Sequence, residues 1–233
     1  MAQLSGRERA AYVKSMFAHL ARTYDRANRW MTWGQDVRWR RQVIDLAHLP
    51  AGGRLLDIGT GTGELALEAL RRDGSLLAVG GDFTLEMMRI GKARKGGEFV
   101  RWLCTDALEL PFPAESFDAV ASGYLMRNVS DVLQAWREQY RVLKPSGKVV
   151  CLDTTPPPKD GWHFPVWIYL RMIIPAIGQI VAGEAKAYRY LPESTQYFMR
   201  AEELLESMRM AGFKEVGFRR FMVGTMAIHW GCK

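Results

Sequence analysis

Three acids in this chain stand where a parallel sheet would gather them. Asp57 lies in the short apolar run "RLLDI" (54–58), Asp82 ends "LLAVGGD" (76–82), and Asp106 follows "EFVRWL" (98–103). After the first run come Gly59, Gly61, Thr62 and Gly63, then an apolar stretch with helical spacing. Alternate glycines allow a sharp backbone turn and the close approach of a ligand. Carboxylates beside such a turn can hold hydroxyl, amine or cationic groups. Farther on, Arg127 and Asn128 follow a fourth apolar run and Asp153 ends a fifth. An arginine and an amide together can stabilise an oxyanion, and a buried carboxylate can accept a proton.

Those residues need a frame that aligns strand ends. Short apolar runs alternate with helical patterns, which is the mark of a parallel sheet covered by helices on both faces. Strands are expected at 54–58, 76–82, 98–103, 117–122 and 148–153, with helices Glu64–Arg72, Leu85–Lys95 and Asp131–Leu143 between them. Pro145 and Gly147 in "KPSG" should end the last helix and start the next strand. A further helix in "AEELLESMRMAG" and a terminal strand hairpin, 213–222 and 224–231, bring the sheet to seven strands. The expected α/β domain has a helical segment at 1–50, a binding core at 51–153, a helical lid insertion at 154–199 and the closing helix and strands at 200–233.

Composition narrows the setting. The formal charge is +7, and Arg22, Arg26, Arg29, Arg38, Arg40 and Arg41 crowd the first forty-odd residues. Such a face is a solvated surface or one that meets anionic lipid headgroups. Cys104, Cys151 and Cys232 have neither disulfide-framework nor metal-ligand spacing, so no metal is expected. The charged start lacks an apolar signal core, and a cytoplasmic protein is expected. Residues 164–181 are apolar, yet Arg171, Pro165, Pro175 and Gly178 argue against a membrane span. A lid, or a segment dipping into a membrane surface, is the expectation.

In an open parallel sheet a ligand sits outside the carboxyl ends of the strands, at the switch in strand order. A dinucleotide fingerprint would place a third glycine where Glu64 stands, and an acid at that helix start disfavours a pyrophosphate. S-adenosylmethionine carries a sulfonium and no phosphate. Asp82 suits its ribose diol, Asp106 its adenine amine, and Asp57 either the glycine turn or the ligand's ammonium group. Each acid alone is as readily a turn or cap residue; their recurrence at successive strand ends points to this cofactor.

The chain also resembles the C-methyltransferase family of ubiquinone and menaquinone biosynthesis over essentially its whole length. "YDRANRWMTWGQDVRW" carries the family's Tyr24, Asp25, Asn28 and Trp39, with Thr32 for a serine and Asp36 for a histidine. "YLMRNVSD" retains Arg127, Asn128, Val129 and Asp131. "RVLKPSGKVVCLDTT" follows the second signature, with Ser146 for a glycine, Asp153 for a glutamate and Thr155 for a serine. The resemblance continues through "AYRYLPEST" and "MAIHWGCK". It implies a Rossmann-like methyltransferase sheet, and cofactor positions at Thr62, Asp82, Asp106 and Ala107. Gly123 falls where some members have serine and could contribute only backbone.

The implied reaction is methyl transfer from S-adenosylmethionine to a ring carbon of a polyprenyl quinol, demethylmenaquinol before a ubiquinol precursor. Arg127 and Asn128 would hold the quinolate oxygen; their alternatives are a structural ion pair and a helix cap. Asp153 would accept a proton or cap the following loop. Tyr24 and Asn28 would close over the substrate, with Tyr188 and Tyr190 from the lid, or pack as core aromatics. His229 reads as a core histidine. A paralogue acting on another small hydrophobic molecule is the alternative. A nucleic-acid methyltransferase or a non-catalytic cofactor carrier fits less well: "SGYLMRN" lacks the Pro-Pro-aromatic run of amine-directed enzymes, and no cysteine is set for base attack. Expected partners are the quinol and the periphery of an anionic membrane, with no nucleic acid. A homodimer is compatible with the sequence.

Overall fold

A computed structural model of the chain describes residues 6–157, 169–182 and 194–233. Seven strands form one sheet: β1 (Arg54–Ile58), β2 (Leu77–Asp82), β3 (Arg101–Cys104), β4 (Phe117–Gly123), β5 (Leu143–Thr154), β6 (Lys214–Phe221) and β7 (Met226–Cys232). Their order is β3-β2-β1-β4-β5-β7-β6. The first five pair in parallel, while β7 runs antiparallel to both β5 and β6. The terminal hairpin is therefore inserted so that its second strand, not its first, meets β5.

Alternation along the strands explains both faces. Leu55, Ala119, Ala121, Val150 and Leu152 share one cluster with Trp39, Val43 and Ala47 of α3 (Gln35–Ala47) and Leu65 and Ala69 of α4 (Glu64–Arg72). Leu56, Val120, Val149 and Cys151 lie in another, with Trp136 of α6 (Val132–Val142) and Leu204 and Met208 of α8 (Ala201–Met210). His229 is buried there too. Its Nε2 lies 2.9 Å from the Ala201 carbonyl, its ring stacks on Phe218, and burial pushes its pKa down, as for a core histidine.

The segment before β1 divides in two. α3 belongs to the sheet's cover, whereas α1 (Gly6–Leu20) and α2 (Tyr24–Met31) form a cap. The cap packs its Val13, Phe17, Leu20 and Tyr24 against Met87 of α5 (Leu85–Lys92) and Ile174 of α7 (Ile174–Ala182). A π-helical turn, Tyr169–Ile173, leads into α7, and the Tyr169 hydroxyl donates to the Met31 carbonyl. Among the described residues no helix is long and apolar enough to cross a membrane.

Three boundaries depart from the sequence expectation by three residues or more. α5 ends at Lys92 rather than Lys95, and β3 begins at Arg101 because Gly97–Phe99 form a 3-10 turn. β5 begins at Leu143 instead of Lys148, so "KPSG" does not separate helix from strand. Its Ser146 takes a positive φ of 64°, and pairing with β4 shifts register between Phe117 and Ala119. Pro145 and Gly147 thus mark an irregular strand entry.

Gly63 immediately precedes α4 with φ of 81°, and a Cβ there would lie 2.4 Å from the Trp102 ring. Gly63→Ala should therefore destabilise the fold by at least about 1–2 kcal/mol, the cost of left-handed backbone alone. A chemical denaturation curve with an unchanged midpoint would refute this packing.

Candidate active site

At the carboxyl end of β1 the chain turns through Gly59, Gly61 and Gly63 with three positive φ angles. Buried carboxylates fix that turn. Asp57 Oδ2 accepts from the Thr60 hydroxyl (2.7 Å) and the Ala66 N–H (3.1 Å). Asp82 at the end of β2 accepts from the N–H groups of Gly61 (2.8 Å) and Thr84 (2.7 Å). Burial pushes both acids up, Asp57 to about 6. Asp57 Oδ1 is buried with no hydrogen-bond partner among the described residues, so one carboxylate oxygen remains for a ligand.

The turn opens into a cleft of about 710 Å³ between the sheet and the cap. Of the residues expected to bind a cofactor, Asp57, Gly59, Gly61, Thr62, Asp82 and Gly123 line it, as do Tyr24 and Asn128. Gly63 does not, because the Trp102 ring fills the space its side chain would take. Asp106 and Ala107 do not line it either. Asp106 is exposed and accepts from the Leu108 N–H (2.9 Å), bending its own loop, while Ala107 is buried in the core. Tyr188 and Tyr190 lie outside the described residues.

A charged network absent from the sequence reading closes the cleft. Glu64 pairs with Arg94 (2.5 Å) and Arg40 (3.1 Å). Although burial pushes the Glu64 carboxyl up, these two guanidiniums hold it below its ordinary value. Arg94 also pairs with Asp25, which accepts from the Thr62 hydroxyl at 2.9 Å. The helix-start acid is therefore largely neutralised, which weakens the argument from Glu64 against a pyrophosphate. The cleft remains acidic nonetheless, with Asp25, Asp57, Glu64 and Asp82 facing Arg40. A ligand with sulfonium and ammonium groups fits that charge. Asp57 and Asp82 would hold its ammonium and ribose hydroxyls.

A second cleft of about 570 Å³ adjoins the first, lined by Asn28, Thr32, Tyr124, Arg127, Thr154 and Tyr169 among others. Arg127 enters it from the β4 end, 3% exposed, with Nη1 2.6 Å from Asp153 Oδ1. Asp153 Oδ2 accepts from the Arg127 N–H and Oδ1 from the Thr154 N–H. Asp153 lines neither cleft. The expectation that it accepts a proton is thus replaced: both of its oxygens are engaged in orienting Arg127. Burial works against the Arg127 charge, and Asp153 holds the guanidinium protonated. Asn128 is not a helix cap, since Asp131 caps α6 through the Gln134 N–H; its amide instead donates to the Tyr124 carbonyl at 2.8 Å.

The two departures in the first signature turn out to be neighbours. The Thr32 hydroxyl lies 3.1 Å from Asp36 Oδ1, and Asp36 pairs with Arg40 at 3.2 Å. The sequence counted Arg40 only among the arginines of a basic surface; the fold instead buries it against Asp36 and Glu64. Nothing in the sequence separated Tyr124 from other aromatics.

The profile of the ubiE/COQ5 methyltransferase family matches residues 5–233. The ubiquinone/menaquinone biosynthesis C-methyltransferase UbiE of Desulfotalea psychrophila is 45% identical over 95% of this chain and 90% of its own length. The demethylmenaquinone methyltransferase of Thermus thermophilus is 43% identical over 93% of this chain and 99% of its own. Among solved structures, a possible histamine N-methyltransferase from Thermotoga maritima superposes with a TM-score of 0.64 at 21% identity, covering 94% of this chain and 99% of that one. The [4+2]-cyclase SpnF reaches 0.65 at 23% identity, covering 84% of this chain and 80% of that one. The fold is shared by both, and the reaction is not fixed by it.

Asp57 attracts a cation only when ionised, so S-adenosylmethionine affinity should fall as pH drops through about 6. The free protein then holds a proton that binding must expel, and the loss between pH 7 and pH 5 should be about tenfold. Asp57→Asn should bind more weakly at pH 7 and show no such loss. Calorimetric titrations at both pH values check this, and a pH-independent affinity in the unsubstituted protein would contradict it.

Proposed function

The chain belongs to the ubiE/COQ5 methyltransferase family, and on that premise we propose that it methylates a ring carbon of a polyprenyl quinol, demethylmenaquinol before a ubiquinol precursor. The observation that carries the substrate half of this reading is the second cleft, which abuts the cofactor cleft and presents a buried guanidinium. S-adenosylmethionine, when bound, supplies an electrophilic methyl group. The protein's own task is to make a ring carbon nucleophilic and to keep water away.

A quinol carbon gains electron density when a neighbouring hydroxyl gives up its proton to water as the quinol enters. After the methyl group has transferred, the C–H proton of that carbon also leaves to water and the aromatic ring is restored. Arg127 would stabilise the resulting oxyanion, and Asp153 holds the guanidinium in place from the opposite side. Burial strengthens that interaction because the dielectric is low. Asn28, from α2, would offer its amide to the same ring. The apolar walls, including Met31, Ile174, Met222 and Met226, suit an aromatic ring and the start of a prenyl tail.

A prenyl quinol resides in a bilayer, and the second cleft's flanks are suited to meet one. α2 and the turn after it expose Trp30 (64%) and Trp33 (77%), while Met172, Ile173 and Ile180 are exposed on the π-helical turn and α7. Arg22, Arg29 and Arg38 are exposed nearby in the chain. Apolar insertion joined to attraction for anionic headgroups would bring the enzyme to its substrate without a spanning segment.

Methyl transfer to reduced demethylmenaquinone and to a reduced demethylated ubiquinone precursor, run side by side, tests the reaction; label in neither quinol would refute it. Arg127→Ala would strand the buried Asp153 charge and endanger the fold. The Arg127→Gln/Asp153→Asn double variant avoids this, and it should turn over roughly 10²–10³ times more slowly with cofactor affinity retained. Normal turnover by the folded double variant would make the pair purely structural.

Co-sedimentation with anionic liposomes should be strong at low salt and weak at high salt, and Trp30→Asp/Trp33→Asp should reduce it. Of the segment 164–181 expected to dip into a membrane surface, residues 164–168 lie outside the described residues and 169–181 form the π-helical turn and most of α7. Folded protein that stays in the supernatant at low salt would leave these side chains without a membrane role.

A further inference from the structure

Among the described residues, Tyr124 alone lines both clefts. It is the first residue after β4 and takes a φ of 63°, in the left-handed region that side-chain-bearing residues avoid. Two hydrogen bonds hold it there: its N–H donates to the Leu152 carbonyl (2.7 Å), and its own carbonyl accepts from the Asn128 amide. Its hydroxyl is buried and makes no hydrogen bond among the described residues. A glycine would relieve the backbone, and a phenylalanine would fill the same space without burying an unpaired hydroxyl. Tyrosine carries both penalties at the single point where the two clefts meet, and strain of this kind gathers at functional sites.

The groups around this hydroxyl are already engaged with one another. Arg40 and Asp36, on α3, pair together, and Arg127 pairs with Asp153 while its guanidinium carbon lies 5.2 Å from the Tyr124 ring centroid. Tyr24, on α2, is the other phenol near enough to influence it. Burial, which outweighs Arg40 and Arg127, pushes the Tyr124 pKa up, so the proton stays on the oxygen and the group acts as a donor. In the same second cleft Asn28 Nδ2 is also buried without a hydrogen-bond partner among the described residues. Arg127, Tyr124 and Asn28 thus all line one cleft, and a guanidinium, a phenol and an amide on its wall suit a ligand rich in oxygen lone pairs.

We propose that the Tyr124 hydroxyl donates a hydrogen bond to the quinol ring oxygen adjacent to the carbon that is methylated, and so shares with Arg127 the stabilisation of the quinolate. This rests on the quinol reading given above. Tyr124 then acts on the substrate from the wall that divides the clefts, where nucleophile and electrophile must meet.

Tyr124→Phe removes one unpaired oxygen and keeps the ring, so its melting temperature should equal or exceed that of the parent. In the complex with S-adenosylhomocysteine and a short-tailed demethylmenaquinol, kept anaerobic, the quinol's ionisation can be followed by absorbance against pH. Its apparent pKa should rise by about one unit in the variant, a tenfold loss of quinolate stabilisation. Turnover should fall about tenfold, in step with the smaller quinolate fraction, with S-adenosylmethionine affinity within about twofold of the parent. Unchanged quinol ionisation and turnover in the folded variant would overturn the proposal. So would weakened cofactor binding with unchanged quinol ionisation, because the hydroxyl would then serve the cofactor. If the parent neither binds nor methylates the quinol, the quinol reading falls and this proposal falls with it. A parent that turns over beside an indifferent Tyr124→Phe removes this proposal alone.

Discussion

Two carboxylates at neighbouring strand ends cannot be buried without hydrogen-bond donors, and the shape of the site follows from that requirement. Asp57 and Asp82 are 1% and 7% exposed. Their donors come from the glycine turn, the start of α4 and the residue before α5. An unpaired buried carboxylate would cost several kcal/mol, so the turn is held wherever its N–H groups can reach those oxygens. Positive φ angles at Gly59, Gly61 and Gly63 are what that reach demands. The demand is not fully met, and Asp57 Oδ1 keeps an open valence facing the cleft. One unsatisfied acceptor in an otherwise satisfied turn is what the proposed cationic ligand would meet.

The same logic governs how the cap is held. Asp25 on α2 reaches Thr62 and Arg94 on the core, and Arg40 on α3 reaches Glu64 at the start of α4. Partly buried charges in a network are screened less than surface pairs and fix geometry more than they add stability. Apolar packing of Phe17, Tyr24 and Met31 supplies adhesion, and the charged network supplies registration. The second cleft inherits its wall from this arrangement, since Asn28, Met31 and Thr32 lie on or just beyond α2. Both clefts are thus positioned by one element.

Buried ion pairing also reassigns chemistry within the site. A carboxylate at the end of β5 invites the role of proton acceptor, but contact with Arg127 makes Asp153 a counter-ion. What reaches the cleft is the arginine. Charge stabilisation by a fixed guanidinium requires no proton transfer to the protein, and it suits a reaction whose nucleophile becomes anionic.

Local physics made much of this protein legible in its sequence. Short apolar runs located every strand, helical spacing located α4 and α8, and the glycine run marked the turn, because each reflects backbone geometry over a few neighbouring residues. Family membership was legible as well, since its signatures are short and contiguous. What required the tertiary structure was the pairing of groups far apart in the chain. Register placed β7 rather than β6 beside β5. Packing set Trp102 against Gly63 and left Asp106 outside the cleft. The fold joined Asp25 to Thr62, coupled Asp153 to Arg127 and, among the described residues, left the hydroxyl of Tyr124 without a hydrogen bond on the wall shared by two clefts. A polar residue's chemistry is decided by burial and by its partner, and both are set only when distant segments meet.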